Sequence, residues 1–285
     1  MNTHLPAAIL KNSKVLIIIP ARYQSTRLPG KPLLQIAGKT MLSRVWAIAQ
    51  TVCLRYQHHA NLSVAAFVTT EDDRILDYCT QLQIPTIQTS ADCRSGTERV
   101  AQACAGLNCD FVLNLQGDNA LCPPWFLEAI IEHYLQQTNP TIITPYVQLT
   151  WTQFDQLRRE KQQTPFSGTS VVMNNQGQAF WFSKNIIPAI RDEQKSRTES
   201  KHSPVARHIG LYGYTMPILQ HILDLPESTY EKHEGLEQLS FLEAGIPIQM
   251  VQVDYGQRQG MTGIDSPEDV QRAEQIIQQD GELIT

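Results

Sequence analysis

No apolar run in this chain approaches the roughly 20 residues that a membrane-spanning helix needs. The longest early run, Val15 to Ile19, is shorter even than the core of a secretion signal, about 7–15 residues. Its β-branched residues lead straight into Pro20-Ala21-Arg22, which reads as a buried strand. Positive charge is also in short supply: 23 Lys and Arg against 28 Asp and Glu give a formal net charge of −5. Generic nucleic-acid binding needs a basic surface to neutralise phosphates, so that class is disfavoured. The six cysteines (Cys53, Cys79, Cys93, Cys104, Cys109 and Cys122) contain no C-x-x-C pair. Without a secretion signal they read as reduced thiols of a cytoplasmic protein. No G-x-G-x-x-G follows any strand, and Leu33 stands where a P-loop ending in Gly38-Lys39-Thr40 would require glycine. Internal repeats and low-complexity linkers are absent as well.

What is present is a chain able to bury a core: 285 residues, 42% hydrophobic and 18% charged. Short β-branched runs alternate with amphipathic stretches. Strands are expected at Lys14–Pro20, Ser63–Thr70, Ile84–Gln88 and Asp110–Gln116. Helices are expected at Met41–Val52 (Leu42, Val45, Ile48 and Ala49 on one face), from about Glu71 (Ile75, Tyr78, Leu82), and at Thr97–Ala105. Pro123 and Pro124 mark another helix start, with Phe126, Ile130, Ile131 and Tyr134 inward. This alternation predicts a mostly parallel sheet covered by helices on both faces. The second half is more mixed. It holds a hairpin, Thr169–Met173 and Gln178–Phe182 around Asn174-Asn175-Gln176-Gly177, and a strand at His208–Tyr214. A helix at Glu234–Ala244, a strand at Ile248–Val253 and a helix at Ser266–Ile277 capped by Ser266 close the chain, while Asp192–Ser203 reads as an exposed loop. The expected organisation is a loose tail over residues 1–13 and one α/β domain over 14–285 with a β-rich section at 165–215.

In open α/β sheets, ligands bind beyond the carboxyl ends of the strands. The first strand ends in Ala21-Arg22-Tyr23-Gln24-Ser25-Thr26-Arg27-Leu28-Pro29-Gly30-Lys31, three cations placed to hold a polyanion such as a triphosphate. The alternative is a solvated basic loop. The fourth strand ends in Asn114-Leu115-Gln116-Gly117-Asp118, and a second carboxylate, Asp265, stands just before the last helix. Asp265 could simply cap that helix, but Ser266 can do so instead. Two carboxylates beside a phosphate-holding loop suggest magnesium, which takes one or two carboxylates plus substrate phosphates. Arg94-Ser95-Gly96-Thr97-Glu98-Arg99 opens a helix whose N–H groups, with Ser95 and Thr97, could bind a base or phosphate; Ser95 and Glu98 also have capping-box spacing. Arg207-His208, Tyr212 and Glu237-Gln238 are polar groups on amphipathic elements and could be purely structural.

At these residues the chain resembles the 3-deoxy-manno-octulosonate (Kdo) cytidylyltransferases, in family order from about Val15 to Ile277. The resemblance rests on Ala21–Lys31, Ser95-Gly96-Thr97-Glu98-Arg99, Asn114–Asp118, Arg207–Tyr214, Leu236-Glu237-Gln238-Leu239 and Gly263–Asp269. It implies a Rossmann-like nucleotidyltransferase fold and transfer of CMP from CTP to a sugar acid, with Mg²⁺ as cofactor. It places CTP with Ala21, Arg22, Ser25 and Lys31, and the cytidine with Ser95, Gly96 and Gln116. Asp118 and Asp265 would hold the metal, and Arg22, Lys31, Asp118 and Asp265 would carry the chemistry. Arg27, His208, Tyr212, Glu237 and Gln238 would recognise the acceptor. The resemblance also implies a cytoplasmic homodimer serving lipopolysaccharide synthesis, with no nucleic-acid or membrane partner.

Departures from the family pattern fall mostly on the acceptor side. Asn119 and Ala120 replace Glu-Pro, Ser170 replaces a Lys, Lys184 an Arg and Ser240 an Arg, and Asp92-Cys93-Arg94 stands where a His precedes S-G-T. They raise the alternative of another acid acceptor: 8-amino-Kdo, a different 2-keto sugar acid or a phosphonate. A non-catalytic nucleotide-binding paralogue is a further alternative, which retention of both aspartates disfavours.

Overall fold

The computed structural model describes residues 12–24, 28–137, 141–260 and 263–284. Its first elements are β1 (Ser13–Pro20), β2 (Gln35–Ile36), β3 (Lys39–Thr40), α1 (Met41–Tyr56), β4 (Leu62–Thr70) and α2 (Asp73–Gln81). There follow β5 (Thr86–Gln88), α3 (Gly96–Cys104), β6 (Phe111–Leu115), α4 (Pro124–Gln136), β7 (Ile142–Thr150) and α5 (Trp151–Gln163). Next come β8 (Thr169–Met173), β9 (Ala179–Ser183), α6 (Glu193–Glu199), β10 (His202–His208) and β11 (Leu211–Thr215). The chain finishes with α7 (Met216–Ile222), α8 (Thr229–Glu234), α9 (Gln238–Glu243), β12 (Ile248–Gln252) and α10 (Pro267–Asp280). Two compact units emerge: the described parts of 1–138, 211–220 and 255–285, and those of 139–210 and 221–254.

In the first unit, β5, β4, β1 and β6 lie side by side in parallel, and β11 pairs antiparallel with β6. Val15 to Ile19 are all buried, as a parallel strand covered on both faces must be. The α1 face predicted from spacing (Leu42, Val45, Ile48, Ala49) is fully buried. Helix α1 lies against β4 and α4, and α3 against β1, β4 and β6. Pro123 and Pro124 open α4 as expected, and Tyr134 stacks on Phe111 with ring centroids 4.2 Å apart. Gly213 of β11 crosses that same ring. A Cβ there would stand 2.2 Å from Phe111 Cζ and 2.9 Å from Ile130 Cγ2, so the site has room for hydrogen only.

In the second unit, β7 pairs in parallel with β12 on one side and antiparallel with β10 on the other. The ladder continues antiparallel through β8 to β9, the expected hairpin. Asn174 closes its turn, its Oδ1 accepting the N–H groups of Gln176 and Gln178, each at 2.9 Å.

Several expectations need correction. Helix α2 ends at Gln81, and Leu82 is exposed rather than facing the core. The Asp192–Ser203 loop is instead helix α6 and the start of β10. Asp192 caps α6, and Arg197 bonds Asp155 at 2.5 Å and Glu193 at 2.7 Å, so ion pairs rather than apolar burial hold this polar helix. The single strand at His208–Tyr214 is two strands that break at Ile209-Gly210, and the single helix at Glu234–Ala244 is interrupted at Gly235, which ends α8 in a left-handed conformation. All six cysteines are free thiols. Burial pushes Cys53 up to about 11 and Cys122 up to about 12, which makes both poor nucleophiles. Among the described residues no helix is long and apolar enough to cross a membrane.

Candidate active site

The site candidates of the first unit gather at the carboxyl ends of β1 and β6. Ala21 continues β1, its N–H bonding Thr69 O at 2.9 Å, and Arg22 then turns out to solvent. The basic loop is tied back on itself: Gly30 N–H bonds Tyr23 O at 3.1 Å, and Leu33 N–H bonds Gly30 O at 2.9 Å. Tyr23 is covered by the Arg74 guanidinium, 3.3 Å from its ring centroid, and Arg74 is itself forked onto Asp72 at 2.9 and 2.6 Å. Nothing in the sequence marks Tyr23 and Arg74 for this stacking. Ser25 and Arg27 lie outside the described residues.

Across from the loop, β6 ends and the backbone turns at Gly117. A Cβ on Gly117 would stand 2.8 Å from Pro20 O, so only glycine allows β6 to leave the sheet so close to β1. Asp118 follows directly. Lys31 Nζ donates to Asp118 Oδ2 at 2.7 Å and to Asp265 Oδ1 at 3.0 Å. The ammonium is 13% exposed, the two carboxylates 28% and 47%. The two acidic segments are also joined through backbone: Ile264 N–H bonds Asp118 O at 3.1 Å, and Gly263 N–H bonds Asn119 Oδ1 at 3.2 Å. Asp265 does not cap α10. Ser266 does, accepting from Asp269 N–H at 3.3 Å in a full capping box, which leaves the Asp265 carboxylate for Lys31.

These are oxygen donors gathered around one positive charge, the donor type that a hard divalent cation takes. Among the described residues no group of three or more His, Cys, Asp or Glu side chains is arranged to hold a metal, so any such ion would have two protein carboxylates at most here. Magnesium tolerates that, because it keeps waters and takes substrate phosphates for its other positions.

Ser95 caps α3 by accepting the Glu98 N–H at 3.1 Å, but the capping box is incomplete. The Glu98 carboxylate accepts from Arg94 N–H at 2.8 Å instead of from Ser95 N–H. The Gln116 amide lies against Gly96, with both terminal atoms 3.1 Å from where a Cβ would be, and its Nε2 donates to Asn114 Oδ1 at 2.9 Å. Below them Arg99, nearly inaccessible, pairs with Glu71 at 2.6 Å and donates to Thr89 Oγ1 at 2.7 Å, fastening α3 to the ends of β4 and β5. Arg44 is a further buried cation that the sequence did not flag. It donates to Ile36 O at 3.0 and 2.6 Å and forks onto Glu282 at 2.7 and 3.2 Å, holding the β2–β3 hairpin that follows the basic loop.

The acceptor-side candidates are divided between the units. Tyr212 lies on β11 opposite Asn114 and stacks on Tyr214, centroids 5.8 Å apart. His208, Glu237 and Gln238 belong to the second unit: His208 ends β10, Glu237 precedes α9, and Gln238 is its first residue. His208 is buried against Phe182, and its Nε2 bonds Thr144 Oγ1 at 2.8 Å. The Thr144 hydroxyl donates to Ile209 O, so the ring nitrogen facing it carries the proton. Burial, reinforced by the Lys184 charge, pulls the His208 pKa down to about 3. The imidazole is therefore neutral through the physiological range.

Stability is linked to this ring. The unfolded chain takes a proton on it near pH 6.5, the folded one not before about 3, so stability is lost as pH falls below the unfolded value. His208 is expected to contribute about 2 kcal/mol of lost stability between pH 7 and pH 5. Urea midpoints at the two pH values should show this component, and His208→Gln should remove it.

The family model for cytidylyltransferases matches residues 16–250. The chain belongs to the cytidylyltransferase family. It is 40% identical over 272 residues to the 3-deoxy-manno-octulosonate cytidylyltransferase of Maricaulis maris, covering 95% of this chain and 99% of that one, and 32% identical to the Porphyromonas gingivalis enzyme of the same name at the same coverage. These identities place it with the Kdo cytidylyltransferases. A solved structure of CMP:2-keto-3-deoxy-manno-octonic acid synthetase complexed with CTP superposes with a TM-score of 0.77 at 30% identity, covering 94% of this chain and all of that one. A glucose-1-phosphate thymidylyltransferase structure from Bacillus anthracis shares the fold, with a TM-score of 0.59 at 13% identity. The Rossmann-like nucleotidyltransferase architecture is thereby established.

Within this cytidylyltransferase the departures have distinct local causes. Asn119 lies beside Asp118, and its amide oxygen accepts from Gly263 N–H at 3.2 Å. Ser240 Oγ donates to Glu231 and accepts from Ser228 N–H at 3.3 Å, bracing α8 against α9. Lys184 offers its carbonyl to Lys161 Nζ and its N–H to Glu234 at 2.7 Å. Ser170 differs from these three. It is fully buried, opposite Arg207 in the β8–β10 ladder, and among the described residues its Oγ has no hydrogen-bond partner. Gln238 Nε2 is in the same condition.

Proposed function

We propose that the chain transfers CMP from CTP to the anomeric hydroxyl of Kdo or a close analogue, releasing pyrophosphate, as the activation step for lipopolysaccharide synthesis. The observation that supports this reading best is the meeting of Lys31, Asp118 and Asp265 at the strand ends of a chain similar along almost its full length to Kdo cytidylyltransferases. In this reading Arg22 and Lys31 bind the triphosphate, with Ser25 and Ala21 along the same loop. Ser95, Gly96 and Gln116 receive the cytidine. The family resemblance assigns acceptor recognition to Arg27, His208, Tyr212, Glu237 and Gln238, of which His208 would act as a neutral hydrogen-bonding ring. Asp118 and Asp265 would hold Mg²⁺. Bound there, the ion would supply positive charge against the phosphate oxygens. The anomeric oxygen attacks the α-phosphorus, the bond to the β-phosphate oxygen breaks, and the hydroxyl proton passes to solvent. The protein's share is to orient the two reactants and neutralise charge, as is usual for phosphoryl-type transfers. The reading includes a cytoplasmic homodimer.

A second reading, favoured by Ser170 and its unpartnered hydroxyl, takes a different acid acceptor through the same chemistry. Pyrophosphate release should be followed with CTP against Kdo, 8-amino-Kdo, other 2-keto sugar acids and a phosphonate. Turnover confined to Kdo removes the second reading. Turnover confined to another acid replaces the first, and release with none of them sinks both.

A further inference from the structure

We propose that Lys31 has a second role beyond phosphate binding: it acts as a tethered cation that occupies the Asp118–Asp265 pair and makes binding of a divalent cation conditional on nucleotide. This inference rests on the reading of the loop as a triphosphate site. The ammonium holds one oxygen of each carboxylate that would take the metal, Asp118 Oδ2 at 2.7 Å and Asp265 Oδ1 at 3.0 Å. An ammonium already on those oxygens repels an incoming dication and competes with it for the negative charge of the pair. Departure of Lys31 therefore strengthens metal binding at the pair.

The backbone under Lys31 favours movement of the side chain alone. Leu33 N–H bonds Gly30 O at 2.9 Å, Leu34 N–H bonds Lys31 O at 3.2 Å, and Pro32 stiffens the turn between them. The side chain then has two sets of acceptors within its own reach: the carboxylates, and phosphate oxygens held by the loop it belongs to. A triphosphate carries more negative charge than the carboxylate pair and draws the ammonium across, freeing the carboxylates. Nucleotide and metal then bind with positive coupling, and by linkage each strengthens the other equally.

The carboxylates do not depend on Lys31 to stay together. The bonds from Ile264 N–H to Asp118 O at 3.1 Å and from Gly263 N–H to Asn119 Oδ1 at 3.2 Å fix the two segments through groups that a Lys31 substitution leaves intact. Removing the ammonium should thus expose a preformed anionic pair rather than dismantle it.

The test is Mn²⁺ binding to nucleotide-free protein, read by the electron paramagnetic resonance signal of free Mn²⁺, with CTP affinity measured in parallel by calorimetry. Lys31→Met is expected to bind Mn²⁺ about tenfold more tightly than the parent, and CTP about tenfold more weakly. Opposite changes in the two affinities are not what a loss of structure would give. Lys31→Gln should reproduce both signs, whereas Lys39→Met, whose ammonium lies 3.7 Å from Glu282 and is half exposed, should change neither. Adding Asp118→Asn to Lys31→Met should abolish the gain in Mn²⁺ affinity. Unchanged or weaker Mn²⁺ binding by Lys31→Met overturns the proposal, as does parent protein that binds Mn²⁺ equally well with and without CTP. Failure of the functional reading is distinguishable: there the parent neither binds CTP nor releases pyrophosphate, whatever the manganese signal does.

Discussion

Pyrophosphate release by Asp118→Ala is expected to fall about 1,000-fold, with the urea midpoint close to that of the parent. The magnitude follows from the role proposed for this carboxylate. Charge neutralisation at a transferring phosphate contributes several kcal/mol to the transition state, and each 1.4 kcal/mol is a factor of ten. The fold should tolerate the change because the structural duty at this position belongs to the backbone: Asp118 O accepts from Ile264 N–H, and alanine retains that carbonyl. Among the described residues the side chain's hydrogen-bond partner is Lys31, at 2.7 Å. Kinetics should show the loss in kcat as well as in kcat/KM, since a group acting on developing charge contributes in the transition state beyond what it gives the ground state. Release at the parental rate would remove Asp118 from the chemistry and the metal assignment with it.

Gly213→Ala is expected to cost about 3 kcal/mol of folding stability, seen as a lower urea midpoint, because overpacking a closed core forces ring and backbone apart. The added methyl would stand 2.2 Å from Phe111 Cζ, a separation no relaxed contact reaches. Phe111 cannot withdraw easily, since Tyr134 stacks on its face at 4.2 Å and the ring has no solvent exposure. Phe111→Leu in the same chain should recover part of the loss by opening space where the methyl goes. A Gly213→Ala protein as stable as the parent would mean that β11 does not lie so close to β6.

These two positions show what can and cannot be read from a sequence. Asp118 was legible because the buried run Phe111–Leu115 announces a parallel strand, and ligands collect just beyond such strands. Gly213 was legible only as part of a motif, since nothing in its neighbours in sequence signals the Phe111 ring 102 positions away. Arg44 was silent for the same reason: it sits in an apolar stretch of α1, and its carboxylate partner is Glu282, 238 residues later. Strand β7 escaped notice because Pro145 interrupts its run, and proline usually argues against an inner strand. Helices α5 and α6 escaped because their surfaces are mostly charged and amide-bearing, so apolar spacing had little to report. Asn119 and Ser240 looked like losses of acceptor contacts when compared with a family pattern, but their hydrogen bonds give them local duties that a pattern cannot express.

The roles proposed for Lys31, Asp118 and Asp265 also set when the chain can become active during its own synthesis. Lys31 is 87 residues from one partner and 234 from the other. A ribosome-bound chain that has emerged only through β12 has the basic loop and the first carboxylate but lacks the second. Its strands can pair, because the first-unit sheet needs nothing beyond β11, while Ala273, Ile276 and Ile277 of α10 have still to join the core. On the role proposed for Asp265, catalytic competence arrives after most of the strands have paired, when the segment before α10 folds back onto residues made far earlier. Loops that must close over such distances are slow to form. Emergence of nucleotide turnover would thus serve as a clock for the last stage of folding, lagging behind any signal from the sheet.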